Sequence, residues 1–364
     1  MSYTVLNVAY PLTPVGEDAA GGSEQILTLL DRGLVAAGHQ SLVVAAEGSS
    51  VQGTLIPTPK ARGKIDDGER RWARKIHQHL IRDTLATHAV DMIHMHSLDF
   101  HHYLPETSLP ILATLHLPPD WYPPEIFRTE RKNLHLNCVS YSQQKACPKW
   151  RSEMPVVPNG VDVIRLETRA TKRRYALALG RICPEKGFHF ALDAAKESDY
   201  DLLLAGELIS YDVHQAYYRQ EIAPRLDDRR RFIGPVGFSR KKRLLAEASC
   251  LLIASTVEET SSLVAMEALA AGTPVVAYRA GALPEIIEHG RTGYLVSNVQ
   301  EMARAIPAAE KLDSEECRRV ARQRFSSTQM VGRYFEMYDR LLERNSVRPD
   351  LARTARGASW LVSW

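Results

Sequence analysis

Short apolar runs rich in β-branched residues recur along the first half of the chain, separated by stretches with helical spacing. The runs predicted as strands are Val5–Ala9, Ser41–Ala46, Met92–His96, Ile111–His116 and Asn137–Ser142. They are apolar throughout instead of alternating, which is typical of parallel strands covered on both faces. A helix is predicted over Ser23–Ala37, with Ser23 as its N-cap and Gly38 as its C-terminal stop. Strands that alternate with helices indicate a doubly wound α/β domain.

The pattern is interrupted near residues 155–162, where proline and Asn159-Gly160 predict a turn, and a second alternating set follows. Its predicted strands are Tyr175–Leu179, Asp201–Ala205, Arg231–Ile233, Leu251–Ala254, Pro274–Ala277 and Gly293–Val296, and its predicted helices are Phe188–Lys196, Lys241–Ala248 and Ser262–Ala271. We therefore expect an α/β protein with two Rossmann-like domains that face a cleft, over residues 1–158 and 159–327. Thr328–Arg344 has apolar residues at helical spacing, and residues 328–364 are expected to pack back on the first domain.

Composition narrows the class of protein. A chain of 364 residues suits two domains, and a formal net charge of +3 is too small to indicate a nucleic-acid partner. No apolar run approaches the ~20 residues of a membrane span, and no signal peptide is predicted, so we expect a cytoplasmic protein. The five scattered cysteines predict reduced thiols and no structural zinc site. For the apolar end Trp360–Trp364, a strap on the protein surface and a peripheral membrane contact both stay open.

Two glutamates separated by seven residues flank the start of a predicted helix. Glu259 lies just before the helix, and Glu267 lies one turn after Leu263 within it. The N–H groups of Leu263 and Val264, behind the cap Ser262, make this helix start an anion site. Carboxylates accept hydrogen bonds from hydroxyls, and a sugar nucleotide carries hydroxyls on both sides of its diphosphate. The segment therefore matches such a ligand; the alternative is a helix-terminal charge and an ordinary surface acid.

Another candidate is the loop after the strand Tyr175–Leu179. Parallel sheets bind ligands at the carboxyl ends of their strands. Here Gly180 and Gly187 permit unusual backbone angles and close approach. Between them, Arg181 can grip a phosphate through two hydrogen bonds and Lys186 adds a point charge. The alternative is a solvated loop with incidental charge.

The first domain offers a glycine loop and a histidine. Gly21 and Gly22 open the first helix, but they lack the G-x-G-x-x-G pattern, so a nicotinamide cofactor is not supported. His116 ends a strand, where it either reaches the cleft or has a structural role. Trp121 and Tyr122 follow and either stack on a sugar ring or fill the interdomain surface. No metal site is predicted.

Taken in order, these segments resemble the retaining glycosyltransferases of family 4, the group 1 transferases, which have the GT-B fold. The resemblance rests on Gly21-Gly22-Ser23-Glu24, Gly38-His39, Thr114-Leu115-His116, Val157-Pro158-Asn159-Gly160-Val161-Asp162, Gly180-Arg181 with Glu185-Lys186-Gly187, and Glu259 with Glu267 followed by Ala271–Val276. The chain departs from the family at Thr260-Ser261-Ser262, where the family has a glycine-rich turn. Side chains therefore stand beside the donor sugar.

The resemblance implies roles for the matching residues. It implies catalytic roles for Glu259, His116, Lys186 and Arg181, and donor-binding roles for Gly21, Gly22, Arg181, Lys186, Ser262, Leu263, Val264 and Glu267. Arg181 and Lys186 would hold the donor diphosphate and neutralise the leaving group, and Glu267 would bind the ribose. Glu259 would contact the transferred sugar and His116 would contact it near the reacting carbon, while Gly22 would let the backbone approach the diphosphate.

The implied reaction is metal-independent, retaining transfer from a nucleotide-diphospho-sugar, with a UDP- or GDP-sugar as donor and no cofactor. The acceptor is expected to be a sugar, a lipid-linked glycan or a small molecule. Two other functions stay open. One is an epimerase-type enzyme on the same fold, and the other is a sugar-nucleotide-binding protein without transfer activity.

Overall fold

The computed structural model describes residues 2–19, 21–60, 65–149 and 154–346, with side chains up to residue 343. Within these ranges the strands form two six-stranded parallel sheets. The first sheet contains β1 (Thr4–Val8), β2 (Gln40–Ala46), β3 (Thr54–Thr58), β4 (Met92–Met95), β5 (Ile111–Leu115) and β6 (Leu134–Cys138). The second contains β7 (Arg173–Leu179), β8 (Asp201–Ala205), β9 (Arg230–Phe232), β10 (Ala248–Ile253), β11 (Val275–Tyr278) and β12 (Gly293–Val296).

Helices cover both sheets. In the first domain they are α1 (Gly22–Ala36), α2 (Asp67–Thr87) and α3 (Tyr141–Ala146). In the second they are α4 (Val163–Leu166), α5 (Phe188–Glu197), α6 (Asp212–Tyr217), α7 (Phe238–Glu247), α8 (Leu263–Ala270), α9 (Leu283–Ile286), α10 (Val299–Ala309) and α11 (Ser314–Arg324), and α12 (Ser327–Ser346) follows. None of the helices within the described ranges is long and apolar enough to cross a membrane. Trp360–Trp364 lies outside those ranges.

The two sheets share one topology. The first runs β3-β2-β1-β4-β5-β6 and the second runs β12-β11-β10-β7-β8-β9, so in each the chain reverses its winding direction once. The reversal lies between β1 and β4 in the first sheet and between β7 and β10 in the second. Crevices at the carboxyl ends of strands beside such a reversal are where open α/β sheets bind ligands. The loops after β1, β7 and β10 are therefore the parts of the fold placed to form a site.

The expected fold class, two Rossmann-like α/β units, is confirmed, but several expected elements were wrong or missing. The strand expected at Asn137–Ser142 is wrong: β6 ends at Cys138, and Ser140 accepts a hydrogen bond from the Gln143 N–H to cap α3. Strand β3 was not predicted, because it is a short, half-exposed edge strand that contains Pro57. Helices α2, α10 and α11 were also missed. Ser23 does not cap α1; its hydroxyl donates to the Glu24 carboxylate at 2.9 Å.

Helix α12 packs against the first domain. Its buried side chains Tyr334 and Tyr338 join a core cluster with residues of α1, β1 and β4. The Tyr338 hydroxyl lies 2.7 Å from Nδ1 of His94, and the Tyr334 hydroxyl lies 3.2 Å from Oγ1 of Thr114. The last helix therefore links the end of the second domain to the first sheet. The domain boundaries at residues 158 and 327 stay predictions.

Acidification is expected to destabilise the fold through His77. This side chain is buried in α2, with Nδ1 2.7 Å from Oγ1 of Thr58 and Nε2 3.0 Å from the Ala9 carbonyl oxygen. Burial lowers the pKa of His77 to about 4. The unfolded chain therefore binds a proton on this side chain near pH 6.5, whereas the folded chain binds it only near pH 4. The free energy of unfolding thus decreases as pH falls from 6.5 toward 4, by about 1.4 kcal/mol per pH unit.

Denaturant unfolding at pH 7.5 and pH 5.5 measures this loss. The variant His77→Gln should lose less stability between the two pH values than the wild type, by roughly 1 kcal/mol. His79→Gln, at an exposed position of the same helix, is the matched control and should behave as the wild type. An unchanged pH dependence in His77→Gln would contradict the assignment.

Candidate functional site

A cavity of about 260 Å³ lies between the two domains. The first domain contributes the loop after β1, with Glu17, Asp18 and the glycines that begin α1. The second domain contributes the loops after β7, β8 and β10 together with the first turn of α8. The cavity thus occupies the crevice that the strand topology favours for binding.

Most of the residues singled out in the sequence meet at this cavity. Those that line it are Gly21, Gly22, Arg181, Lys186, Glu259, Ser262, Leu263, Val264 and Glu267. These nine residues, which are spread over the chain between positions 21 and 267, therefore lie around one cavity. His116 is not part of the lining.

The loop after β7 is held by close backbone packing. Gly187 has φ = +58°, and a Cβ there would collide with the carbonyl oxygen of Ala254 at the end of β10. Gly206, after β8, has φ = +149°, and its Cβ would collide with the carbonyl oxygen of Gly180. Only glycine fits at both positions. This packing fixes Lys186, the residue before Gly187, beside the end of β10.

Lys186 and Glu259 form an ion pair across the cavity floor. Lys186 Nζ lies 2.7 Å from Oε1 of Glu259, and the same oxygen accepts a hydrogen bond from the Ser255 hydroxyl. The Glu259 side chain is only 9% exposed. Its main chain is also held, because its carbonyl oxygen accepts a hydrogen bond from the Ala282 N–H at 2.7 Å. Any anion that binds Lys186 must share it with this carboxylate.

A second ion pair joins Glu267 of α8 to Lys241 of α7. Lys241 Nζ lies 2.6 Å from Oε1 of Glu267, and both side chains are nearly buried. Sequence reasoning missed Lys241, which also lines the cavity. The signal was its spacing: Leu244 and Leu245 follow at three and four residues and are buried, so Lys241 shares the inward face of α7. Basic residues on both sides of Lys241 made its inward position hard to recognise in the sequence.

Arg181 differs from these two lysines. Its side chain is exposed and lines the cavity, and it makes no ion pair within the part of the chain that the structure describes. Its charge acts on the buried Glu24, where it opposes the pKa rise that burial causes. Arg181 is therefore a cation of this cavity that forms no ion pair among the described residues.

Glu24 lies in the first turn of α1 and had been given no role. Its carboxylate folds back over Gly21, where a Cβ would collide with Oε2 of Glu24. Because the obstructing atom is the end of a flexible side chain and Gly21 has φ = −88°, a larger residue at this position would require only that Glu24 move. Burial raises the pKa of Glu24.

The turn Thr260-Ser261-Ser262 gives each side chain a different environment. Thr260 donates a hydrogen bond to the carbonyl oxygen of His116 at 2.8 Å and so joins the two domains. Ser261 lines the cavity, and its buried hydroxyl has no hydrogen-bond partner among the described residues. Ser262 stands at the N-cap of α8 without making a side-chain cap. The first N–H groups of α8 are therefore left for another acceptor.

His116 sits at the edge of the interdomain contact. Its Nε2 lies 3.2 Å from Nδ1 of His96, and its N–H donates to the Tyr122 hydroxyl at 3.0 Å. Burial lowers the pKa of His116 to about 3, so the ring is neutral near pH 7. Tyr122 is buried, whereas Trp121 is 43% exposed. Of the two aromatic residues, Trp121 is thus the one presented to solvent.

The amino-acid sequence is similar to sequences of known glycosyltransferases. Residues 173–309 match the family model of the group 1 glycosyl transferases. A phosphatidyl-myo-inositol mannosyltransferase of Mycobacterium tuberculosis is 32% identical over 157 residues, which are 40% of this chain and 40% of that protein. The chain spans less than half of the length of the first curated relatives it matches.

Solved structures match nearly the whole chain. A glycosyltransferase involved in avilamycin A biosynthesis is 25% identical with a TM-score of 0.71, over 94% of this chain and 98% of that one. An Anabaena protein in complex with UDP and glucose is 18% identical with a TM-score of 0.72, over 93% of this chain and 100% of that one. The chain is therefore similar to the group 1 glycosyl transferases over residues 173–309 and has a GT-B-like fold over nearly its whole length.

Proposed function

We propose that this protein is a group 1 glycosyltransferase and a retaining enzyme of family 4. It moves a sugar from a nucleotide-diphospho-sugar to an acceptor. The observation that carries the proposal is an interdomain cavity in which Arg181, Lys186 and the uncapped start of α8 lie beside two nearly buried acids, Glu259 and Glu267. Cations and helix N–H groups suit a diphosphate, and flanking carboxylates suit hydroxyls on either side of it.

When the donor binds, Lys186 and Glu259 would each replace their contact with the other by a contact with the donor. The diphosphate accepts from Lys186, from Arg181 and from the N–H groups at the start of α8, near Leu263. Hydroxyls of the transferred sugar then donate to Glu259. At the other end, the ribose hydroxyls donate to Glu267, which Lys241 holds in place. Lys186, Glu259 and Glu267 each keep a partner throughout, so none of these nearly buried charges is left isolated.

The reaction breaks the bond between the sugar C1 and the donor phosphate oxygen, which keeps the electron pair. Arg181 and Lys186 stabilise the charge that grows on this phosphate in an oxocarbenium-like transition state. The acceptor oxygen attacks C1 from the face of the leaving phosphate, and its proton passes to that phosphate. Configuration at C1 is therefore retained. His116, joined to the Glu259 turn through Thr260, is the neutral group assigned to the sugar near C1.

We assign a UDP- or GDP-sugar as donor and no cofactor. Solved neighbours in complex with UDP, and with UDP-glucose, support a nucleotide-sugar donor. The acceptor is a sugar, a lipid-linked glycan or a small molecule. The exposed indole of Trp121, next to the interdomain edge at His116, offers a flat surface on which a sugar ring can stack.

The test is a thermal-shift screen of UDP-, GDP-, ADP- and TDP-sugars, followed by transfer assays with the donors that bind. A bound donor stabilises the protein by RT ln(1 + [L]/Kd). NMR of the product then gives the anomeric configuration, which is expected to match that of the donor. Binding without transfer or hydrolysis across the panel favours a binding protein instead. Isomerised donor sugar without an acceptor favours an epimerase-type enzyme.

Transfer is expected to need no divalent cation at the diphosphate, because cationic side chains and helix N–H groups already surround it. Enzyme dialysed against EDTA should change its initial rate by less than about twofold on addition of Mg²⁺ or Mn²⁺. Comparing the same dialysed sample with and without the cation keeps any other effect of dialysis constant. A rise of more than about tenfold would contradict this part of the proposal.

A further inference from the structure

A second cluster of chemically active side chains joins α6 to the loop that carries Arg181 and Lys186. Cys183 precedes the 3-10 turn Pro184–Lys186, Glu185 lies within that turn, and His214 lies on α6. One potential ligand atom from each of Cys183, Glu185 and His214 lies within 4.8 Å of the other two. Cys183 and His214 are buried and Glu185 is half-buried.

His214 shows that this cluster is incomplete. The residue is 8% exposed, and its Nδ1 is buried without a hydrogen-bond partner among the described residues. A buried polar atom left without a partner costs about 1–3 kcal/mol, and such atoms are rare in folded proteins. The Cys183 thiol does not supply the missing bond, since its assigned contact is the Arg181 carbonyl oxygen at 3.5 Å. A cation bound by this nitrogen would remove the cost of leaving it without a partner.

The donor set identifies the kind of cation. A thiolate, an imidazole nitrogen and one carboxylate oxygen are ligands typical of Zn²⁺, whereas Mg²⁺ and Ca²⁺ prefer oxygen ligands alone. Three protein ligands fill all but one position of a tetrahedral zinc site, and water takes the fourth. The sequence suggested no such site because His214 lies far along the chain from Cys183 and no second cysteine stands nearby.

We propose that Cys183, Glu185 and His214 bind one Zn²⁺ ion, which ties α6 to the loop after β7. None of these three residues lines the interdomain cavity as the structure describes it. The ion would therefore not touch the donor. Its role is to hold the loop in place and so to position Arg181 and Lys186, which flank Cys183 and Glu185 in the chain. The loop is anchored elsewhere too, because the Thr256 N–H donates to the Glu185 carbonyl oxygen at 2.9 Å.

Cobalt substitution tests the site directly and does not depend on transfer activity. Full-length protein stripped with a chelator is titrated with Co²⁺ under reducing conditions. We expect one equivalent to produce visible bands of tetrahedral cobalt together with a near-ultraviolet thiolate-to-cobalt band, and one equivalent of Zn²⁺ to remove both. Absence of both bands at saturating Co²⁺ overturns the proposal.

Two variants assign the ligands. Cys183→Ser should abolish the thiolate band, and His214→Gln should weaken Co²⁺ binding at least about tenfold. Cys147→Ser, at a half-buried cysteine outside the cluster, is the matched control and should keep both the band and the affinity. Circular dichroism of each variant shows that it is folded. A thiolate band that survives in folded Cys183→Ser but disappears in Cys147→Ser overturns the assignment.

Discussion

Replacing Lys186 by alanine is expected to lower kcat for sugar transfer by about 10²–10³, equivalent to roughly 3–4 kcal/mol of transition-state stabilisation. The ammonium group is fixed beside the end of β10, because Gly187 permits the backbone to pass close to Ala254. It therefore needs no rearrangement of the main chain to meet the charge that grows on the departing phosphate. Steady-state kinetics with a saturating donor and acceptor measure the effect.

The control for Lys186→Ala is Lys196→Ala. Lys196 is an exposed lysine in the last turn of α5 and is outside the cavity lining. It should keep kcat within about twofold of the wild type. If kcat of Lys186→Ala stays within about threefold of the wild type, the leaving-group role is wrong.

Loss of Lys186 also leaves Glu259 without its ion-pair partner, and this effect must be separated from catalysis. A nearly buried carboxylate that has lost its partner destabilises the fold. The double variant Lys186→Ala, Glu259→Gln removes that charge while keeping most of the side-chain volume. We expect its unfolding free energy to lie closer to the wild-type value than that of Lys186→Ala. Its kcat should stay low, because the missing cation is not replaced.

The sequence predicted the parts of the site that are local in the chain. The spacing of Glu259 and Glu267 around a helix start follows from a strand, a turn and one helical turn. Likewise, the left-handed backbone of Gly187 follows from the sharp change of direction between the 3-10 turn Pro184–Lys186 and α5. Such features depend on residues within about ten positions of each other. Periodicity and turn chemistry are informative at that range.

What the sequence did not predict depends on partners far apart in the chain. The Lys241–Glu267 pair and the link between Thr260 and His116 exist only once the sheets have assembled. The local sequence around either partner does not identify the other partner. The same reason applies to His214, whose place beside Cys183 follows from the packing of α6 against the loop after β7. The GT-B-like fold was therefore more predictable than the charge pairs within its cavity.

The turn Thr260-Ser261-Ser262 illustrates how a local departure gains meaning from long-range contacts. From the sequence, these side chains only replace a glycine-rich turn of the resembling family. In the structure, Thr260 connects the turn to His116 of the first domain, and Ser261 lines the cavity with a buried hydroxyl that has no hydrogen-bond partner among the described residues. The substitutions therefore add polar groups without blocking the start of α8.

Replacing Glu267 by alanine is expected to raise KM for the nucleotide-sugar about 10–100-fold with a smaller change in kcat. A hydrogen bond to a charged group contributes roughly 1.5–3 kcal/mol, and the ribose that Glu267 is proposed to bind does not change during the reaction. Its contribution is therefore nearly equal in the ground state and in the transition state. Initial rates over a range of donor concentrations separate the two constants.

Lys241 distinguishes binding by Glu267 from support of the fold. Lys241→Ala should raise KM less than Glu267→Ala, because Lys241 acts through the carboxylate. In the double variant the two losses should not add, since the residues are in contact at 2.6 Å. Glu336→Ala, at an exposed position of α12, is the control and should leave KM unchanged. If a folded Glu267→Ala protein keeps the donor KM within about twofold of wild type, the ribose assignment is wrong, because a lost charged hydrogen bond cannot be that small.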